Sequence, residues 1–312
     1  MLTGRPKSGY GAGFHRKRAL RKAALVFFAV FLIVLIPALF IKWGGSGVSG
    51  QKDLRALWES GSFAEVYAET GAMLQETPLD YFLLTSRGFS AYQLASAQIN
   101  HYDTQTYIDD CIWSLRKAML SGDTRTRGQL YYVLGKAYYD KGSGYADLAV
   151  KYLEKARDSG YGVVDIPQYL GLAYAAVRDY RSSVAAFSLA LGGPDSPSDV
   201  LLLSIARSYL ALEEYESAGA YLIRCVDVSK DSKLIASARL LLGSILAKKG
   251  DASGAEAQYL KVLEEEGENA DAHYQLGELY DTGGDPIRAR AEWRRAVRID
   301  PAHRQARARL NI

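Results

Sequence analysis

The sequence predicts an all-α chain built from repeated helical hairpins. In the last part of the chain, Leu276, Gly277 and Tyr280 fall on one face of a helix, and Trp293 falls on the inner face of a second helix. Similar residues recur 34 residues upstream, so this hairpin is one copy of a pattern. These two observations favour an all-α fold.

The last hairpin shows how each copy is built. The segment Gly283–Pro286 interrupts the first helix, and its proline suits the first turn of the second helix. Gly277 and Ala289 predict a close crossing of two antiparallel helices. Tyr280 and Trp293 are expected to fill the space beside that crossing.

The order Leu-Gly, Tyr, Ala, aromatic, Ala and Pro closely resembles the tetratricopeptide repeat. Upstream copies are centred on Leu242–Gly243, Ile205–Ala206, Leu170–Gly171 and Leu134–Gly135. Five copies therefore occupy residues 121–301. Residues 53–120 are interpreted as two degenerate copies, and residues 302–312 as a capping helix that shields the last repeat. The resemblance implies a right-handed superhelical solenoid that forms one continuous domain.

The first fifty residues differ from the rest. Residues 23–41 contain no charge over 19 residues, which as a helix would reach about 28 Å, close to the thickness of a bilayer core. We therefore expect a transmembrane helix at 23–43, after a basic tail at 1–22 and before a Gly/Ser linker at 44–52. A cleaved signal peptide is the alternative, although its apolar region is usually shorter.

The charge distribution predicts the orientation in the membrane. Seven of the 38 Lys and Arg residues precede residue 23, where no acid occurs, and the rest of the chain is mildly acidic, with 35 acids in total. The positive-inside rule then places the N-terminus in the cytoplasm and the repeats in the periplasm of a bacterial inner membrane, as a single-pass protein. We interpret the basic tail as a topology signal that meets the lipid bilayer and expect no nucleic-acid partner.

No motif in the sequence predicts catalysis, a cofactor or a metal. Cys111 and Cys225 are the two cysteines and fall on apolar helix faces, as buried free thiols would. The four histidines lie apart, without the paired spacing of a metal site. We therefore expect a protein that is not an enzyme.

The resemblance implies a concave groove lined by the first helix of each hairpin, where tetratricopeptide repeats bind extended segments of partner proteins. Carried onto this sequence, the predicted groove comprises Tyr132, Lys136, Tyr139, Gln168, Leu172, Leu203, Arg207, Leu210, Leu240, Ser244, Tyr274 and Glu278. Apolar residues there are costly in water unless a partner covers them. The alternative is that these side chains pack internally.

These features predict a membrane-anchored interaction scaffold of an envelope assembly. The alternative is a chaperone-like holder of newly translocated proteins near a translocon. The C-terminal charges are uneven: residues 251–285 hold ten acids and one lysine, and residues 286–312 hold eight arginines. This pattern is typical of a solvated helix surface, and a docking surface for an acidic partner or a second copy of the chain is the alternative.

Overall fold

The computed structural model describes residues 49–121, 126–192 and 198–312. Within these ranges it contains fifteen α-helices and no strand, which confirms the all-α prediction. The described chain forms two compact units, one ending at Lys141 and the other beginning at Gly142. The repeat pattern predicts one continuous domain. The division falls within residues 140–147, a connection about two residues longer than the repeat pattern has.

The first unit contains five helices. They are α1 (Ser49–Glu59), α2 (Phe63–Glu76), α3 (Tyr81–Ala97), α4 (His101–Ala118) and α5 (Arg127–Lys141). Consecutive helices pack against each other along α1 to α5, and α3 also packs on α5. Asp80 starts α3 because its carboxylate accepts a hydrogen bond from the Leu83 N–H.

The second unit contains ten helices in successive hairpins. They are α6 (Ala146–Asp158), α7 (Ile166–Ala176), α8 (Tyr180–Leu191), α9 (Asp199–Ala211), α10 (Tyr215–Val228), α11 (Ser232–Lys248), α12 (Ala252–Glu266), α13 (Ala270–Thr282), α14 (Pro286–Ile299) and α15 (Arg304–Leu310). Each helix from α8 to α15 packs on the one before it. We call α1, α3, α5, α7, α9, α11 and α13 first helices, and α2, α4, α6, α8, α10, α12 and α14 second helices.

The turn inside each hairpin of the second unit uses the left-handed backbone region. Gly250 and Gly284 have φ angles of 83° and 80°, and Arg178 and Glu213 have φ angles of 63° and 61°. Each lies seven residues after the small residue at the helix crossing. A side chain costs roughly 1 kcal/mol in this region, so the repeat geometry is kept at Arg178 and Glu213 despite that cost.

In three hairpins of the second unit, a glycine on the first helix packs against an aromatic ring on the second helix at the crossing. A Cβ atom on each glycine would overlap a ring sixteen residues later, in the pairs Gly171 and Phe187, Gly243 and Tyr259, and Gly277 and Trp293. Trp293 therefore lies at its crossing, and Tyr280 packs beside it. The equal spacing shows that these hairpins share one register.

The predicted basic tail at 1–22 and transmembrane helix at 23–43 lie outside the described residues. Within the described ranges, no helix combines the length and the apolar character needed to cross a bilayer. The predicted linker at 44–52 is described only at its end, where α1 already begins at Ser49. The short helix α15 lies in the stretch expected to cap the last repeat.

Candidate protein-binding surfaces

The predicted groove residues of the second unit recur at fixed distances from the small residue of each crossing. They lie three residues before it, one residue after it or four residues after it. Arg207 is exposed at the middle of this series and makes no ion pair with any residue that the structure describes. Leu172, Leu210 and Leu240 are half-buried and pack against neighbouring core clusters. Leu203 is 3% exposed and belongs to the core itself.

Gln168 and Ser244 complete this part of the series, and both are half-buried. We call the surface formed by Gln168, Leu172, Arg207, Leu210, Leu240 and Ser244 the first-helix face. It combines partly accessible leucines with a single exposed cation. A chain segment with apolar and acidic side chains would match this composition.

The last two predicted groove residues contact the capping helix. The Tyr274 ring lies 5.2 Å from the His303 ring, and the Arg309 guanidinium donates to the Glu278 carboxylate, with Nε at 2.8 Å from Oε1. His303 Nδ1 accepts the Ala306 N–H at 3.1 Å, which starts α15. The chain itself therefore contacts this end of the predicted groove.

The three predicted residues of the first unit lie on α5. Tyr132 and Lys136 are 4% and 1% exposed, and the Lys136 ammonium donates to the Tyr132 hydroxyl at 3.1 Å. It also lies 5.7 Å from the centre of the Tyr92 ring. Tyr139 is half-buried. For Tyr132, Lys136 and the core residue Leu203, the structure shows the internal packing considered as the alternative.

Two tyrosines of the repeat pattern connect one hairpin to the preceding one. The Tyr174 hydroxyl donates to Glu154 at 2.6 Å, and the Tyr280 hydroxyl donates to Glu256 at 2.5 Å. Burial, followed by the hydrogen bond to the carboxylate, raises the pKa of each tyrosine to about 12. Both stay protonated at neutral pH and act as structural donors.

Sequence reasoning missed a polar network and an adjacent pocket in the first unit. Arg87 of α3 donates from Nη2 to Asp110 at 2.9 Å and to the Tyr67 hydroxyl at 3.0 Å, and the Tyr67 hydroxyl donates to Asp110. The pocket beside this network is lined by residues of α2, α3 and α4, including Trp113. Gly71 is the residue that could have indicated this network. A glycine inside a predicted helix lowers helix stability by about 1 kcal/mol relative to alanine, which suggests that close packing requires it.

The cysteines are buried free thiols in the described chain. Burial raises the pKa of both thiols, and Cys225 Sγ donates to the Asp199 carbonyl at 3.3 Å. In the ranges that the structure describes, no cluster of three His, Cys, Asp or Glu residues is arranged to hold a metal ion.

Part of the uneven C-terminal charge is paired inside the second unit. Arg288 pairs with Asp285 at 2.5 Å, Arg295 pairs with Glu292, and Arg309 pairs with Glu278. These pairs are partly exposed and contribute little to stability.

Comparison with known proteins identifies the repeat. The tetratricopeptide repeat family model matches residues 203–269 and 246–304. The C-terminal part of a TPR repeat-containing protein from Cytophaga hutchinsonii is similar, with a TM-score of 0.59 and 16% identity over 84% of this chain and 99% of that chain. The pilF structure from Pseudomonas aeruginosa has a TM-score of 0.53 and 15% identity over 72% of this chain and 96% of that chain.

No curated protein matches the chain. At these identities the two structures show the fold alone. The predicted tetratricopeptide repeats are therefore confirmed over residues 203–304, and the described chain shares the all-α fold of such proteins.

Proposed function

We propose that this chain is a membrane-anchored scaffold of a bacterial envelope assembly, which holds a partner protein on the first-helix face of its second unit. The tetratricopeptide fold supports protein binding as the general role. The membrane anchor at 23–43 and the periplasmic location of the repeats rest on the uncharged run and on the basic residues that precede it.

Arg207 is the residue on which the proposed binding site depends most. It is exposed on α9 and has no acidic partner in the described chain, and the first helices before and after α9 carry the half-buried Leu172 and Leu240. Partly buried leucines supply apolar contact area, and the arginine selects a segment with an acidic residue. Tyr274 and Glu278 contribute less, because α15 already contacts them.

Photo-crosslinking tests this assignment in the full chain. Replacing Arg207 by the photoreactive residue p-benzoylphenylalanine should yield one dominant adduct in native membranes, because the side chain lies within the proposed contact. The same replacement at Arg181, exposed on the second helix α8, is the matched control and should yield little. Arg207→Glu should weaken binding of the crosslinked partner about tenfold, or roughly 1.4 kcal/mol.

Equal adducts at both positions, or none at 207, would contradict the assigned face. Many unrelated adducts at 207 would favour the chaperone-like holder over a scaffold. The anchoring half of the proposal fails separately if a reporter fused after Ile312 is active only in the cytoplasm.

A further inference from the structure

The first unit carries a surface pocket that the first-helix face does not use. It has a volume of about 450 Å³, and most of its lining comes from the second helices α2 and α4. The other lining groups are Arg87 of α3 and Pro78 of the connection before it. The pocket is therefore a separate candidate for binding.

Trp113 is the main apolar group of this pocket. Its surface is 53% exposed, whereas Trp58 and Trp293 are each 5% exposed. The Lys117 ammonium lies 4.2 Å from the centre of the Trp113 ring, within the range of a cation–π contact. Exposed tryptophan is costly in water and is among the commonest binding anchors, so this side chain points to a partner.

The side of the pocket formed by Arg87 is held in place before any partner arrives. Arg87 Nη1 donates to the Tyr67 carbonyl at 3.0 Å, and its Cζ lies 4.0 Å from the centre of the Tyr67 ring. Gly71 leaves room for this arrangement, since a Cβ atom there would overlap the guanidinium. A site ordered in this way loses little freedom when it binds.

The charges around the pocket determine which charge the partner should have. Asp110 neutralises Arg87, and Lys141 neutralises Asp109. Lys117 makes no ion pair with any residue in the described ranges, so its charge is left over at the rim. A cation next to an apolar surface favours a carboxylate close to an apolar side chain.

We propose that this pocket binds a protein segment that places an aliphatic or aromatic side chain against Trp113 and pairs a neighbouring Asp or Glu with Lys117. Leu74 and Pro78 supply further apolar contact. The site lies in the first unit and is formed largely by second helices. It gives the chain a binding surface that does not depend on the first-helix face.

Fluorescence anisotropy with defined peptides tests this proposal on the full chain in detergent micelles. The probe is a capped, labelled octapeptide, Gly-Ser-Asp-Leu-Phe-Asp-Ser-Gly. One control peptide replaces both Asp by Lys, and another replaces Leu-Phe by Ser-Ser. The probe should bind at least tenfold more tightly than either control peptide.

Matched variants locate the binding site. Trp113→Ala and Lys117→Glu should each weaken probe binding at least tenfold. Arg116→Glu, exposed on the same helix and outside the pocket lining, should change it less than twofold. Circular dichroism checks that each variant is folded. If Trp113→Ala is unfolded, the result for Lys117→Glu decides the test.

The proposal is overturned if the probe shows no binding at millimolar concentration, if Trp113→Ala and Lys117→Glu bind it like the native chain, or if the lysine peptide binds more tightly. A change from dimer to monomer on Trp113→Ala, measured by sedimentation, would also overturn it, because a second copy would then cover the pocket.

Discussion

The two units close their helix crossings in different ways. In the second unit, a glycine meets an aromatic ring sixteen residues later in three hairpins. In the first unit, Gly88 of α3 meets Leu115 of α4 instead, 27 residues later. The first unit adds the Arg87, Tyr67 and Asp110 network, which joins three helices. Three hairpins of the second unit thus repeat one kind of apolar contact, whereas the degenerate pair combines a different apolar contact with a polar network.

The candidate binding residues also lie in different places in the two units. In three hairpins of the second unit, the small and aromatic positions form the crossing, whereas Arg207 is an exposed residue next to the small residue Ala206 on α9. The degenerate pair has a crossing whose two residues are 27 positions apart, and the pocket beside Trp113 lies on its surface. Loss of the repeat pattern therefore coincides with a surface that the pattern does not predict.

The largest expected effect breaks a crossing in the second unit. Gly277→Leu should destabilise the chain by roughly 3 kcal/mol, because any side chain at this position overlaps the Trp293 ring. Thermal unfolding of the full chain and hydrogen exchange in α13 and α14 measure the loss.

Gly219→Leu is the matched control, since Gly219 lies within α10 and a Cβ atom there would meet no other group within 4 Å. It should leave stability unchanged or slightly higher, because leucine is the better helix former. Equal destabilisation by both changes would show that the crossing is not the cause.

A smaller effect is expected from the polar network of the first unit. Arg87→Met should cost about 2 kcal/mol, because Asp110 and the Tyr67 carbonyl lose a charged hydrogen-bond donor. Hydrogen exchange should increase in α2, α3 and α4, whereas α13 and α14 should keep their protection.

The control is Arg116→Met on α4, which removes an exposed arginine that makes no hydrogen bond or ion pair within the described residues. If Arg87→Met leaves protection in the first unit as high as Arg116→Met does, the network is not what holds these helices together.

The smallest effect concerns the link between consecutive hairpins. Tyr280→Phe should cost about 1 kcal/mol at neutral pH, because the hydrogen bond to Glu256 is lost. Burial and this bond raise the folded-state pKa of Tyr280 from 10.0 to about 12. Its stabilising contribution is therefore complete below pH 10 and is lost as the pH rises towards 12.

Denaturant unfolding between pH 7 and pH 12 measures this contribution. The Phe variant should lose less stability than the native chain across the alkaline range, because it has one fewer tyrosine to ionise. Tyr102→Phe, at a position 77% exposed, is the control and should follow the native curve. If the free energy of unfolding of Tyr280→Phe falls with pH as steeply as that of the native chain, the hydrogen bond between Tyr280 and Glu256 does not stabilise the fold.

Much of the fold could be predicted because its signals are local. Leu276, Gly277 and Trp293 lie within one hairpin, and the turn at Gly284 separates the two helices that they join. For the candidate site, the sequence could predict which positions lie on the first helices but not which of their side chains are exposed. Leu203 and Arg207 lie one turn apart on α9, yet the first is buried and the second is exposed.

In the regular repeats of the second unit, the sequence by itself determined the helices, the turns and the register, because helical periodicity and the spacing of small residues act over one hairpin. Only the tertiary structure decided which of the predicted groove residues are accessible. It placed α15 on Tyr274 and Glu278, buried Lys136 among tyrosines, and brought Tyr67 to Asp110 across 43 residues of chain. Such contacts join side chains far apart in sequence, and no local pattern encodes them.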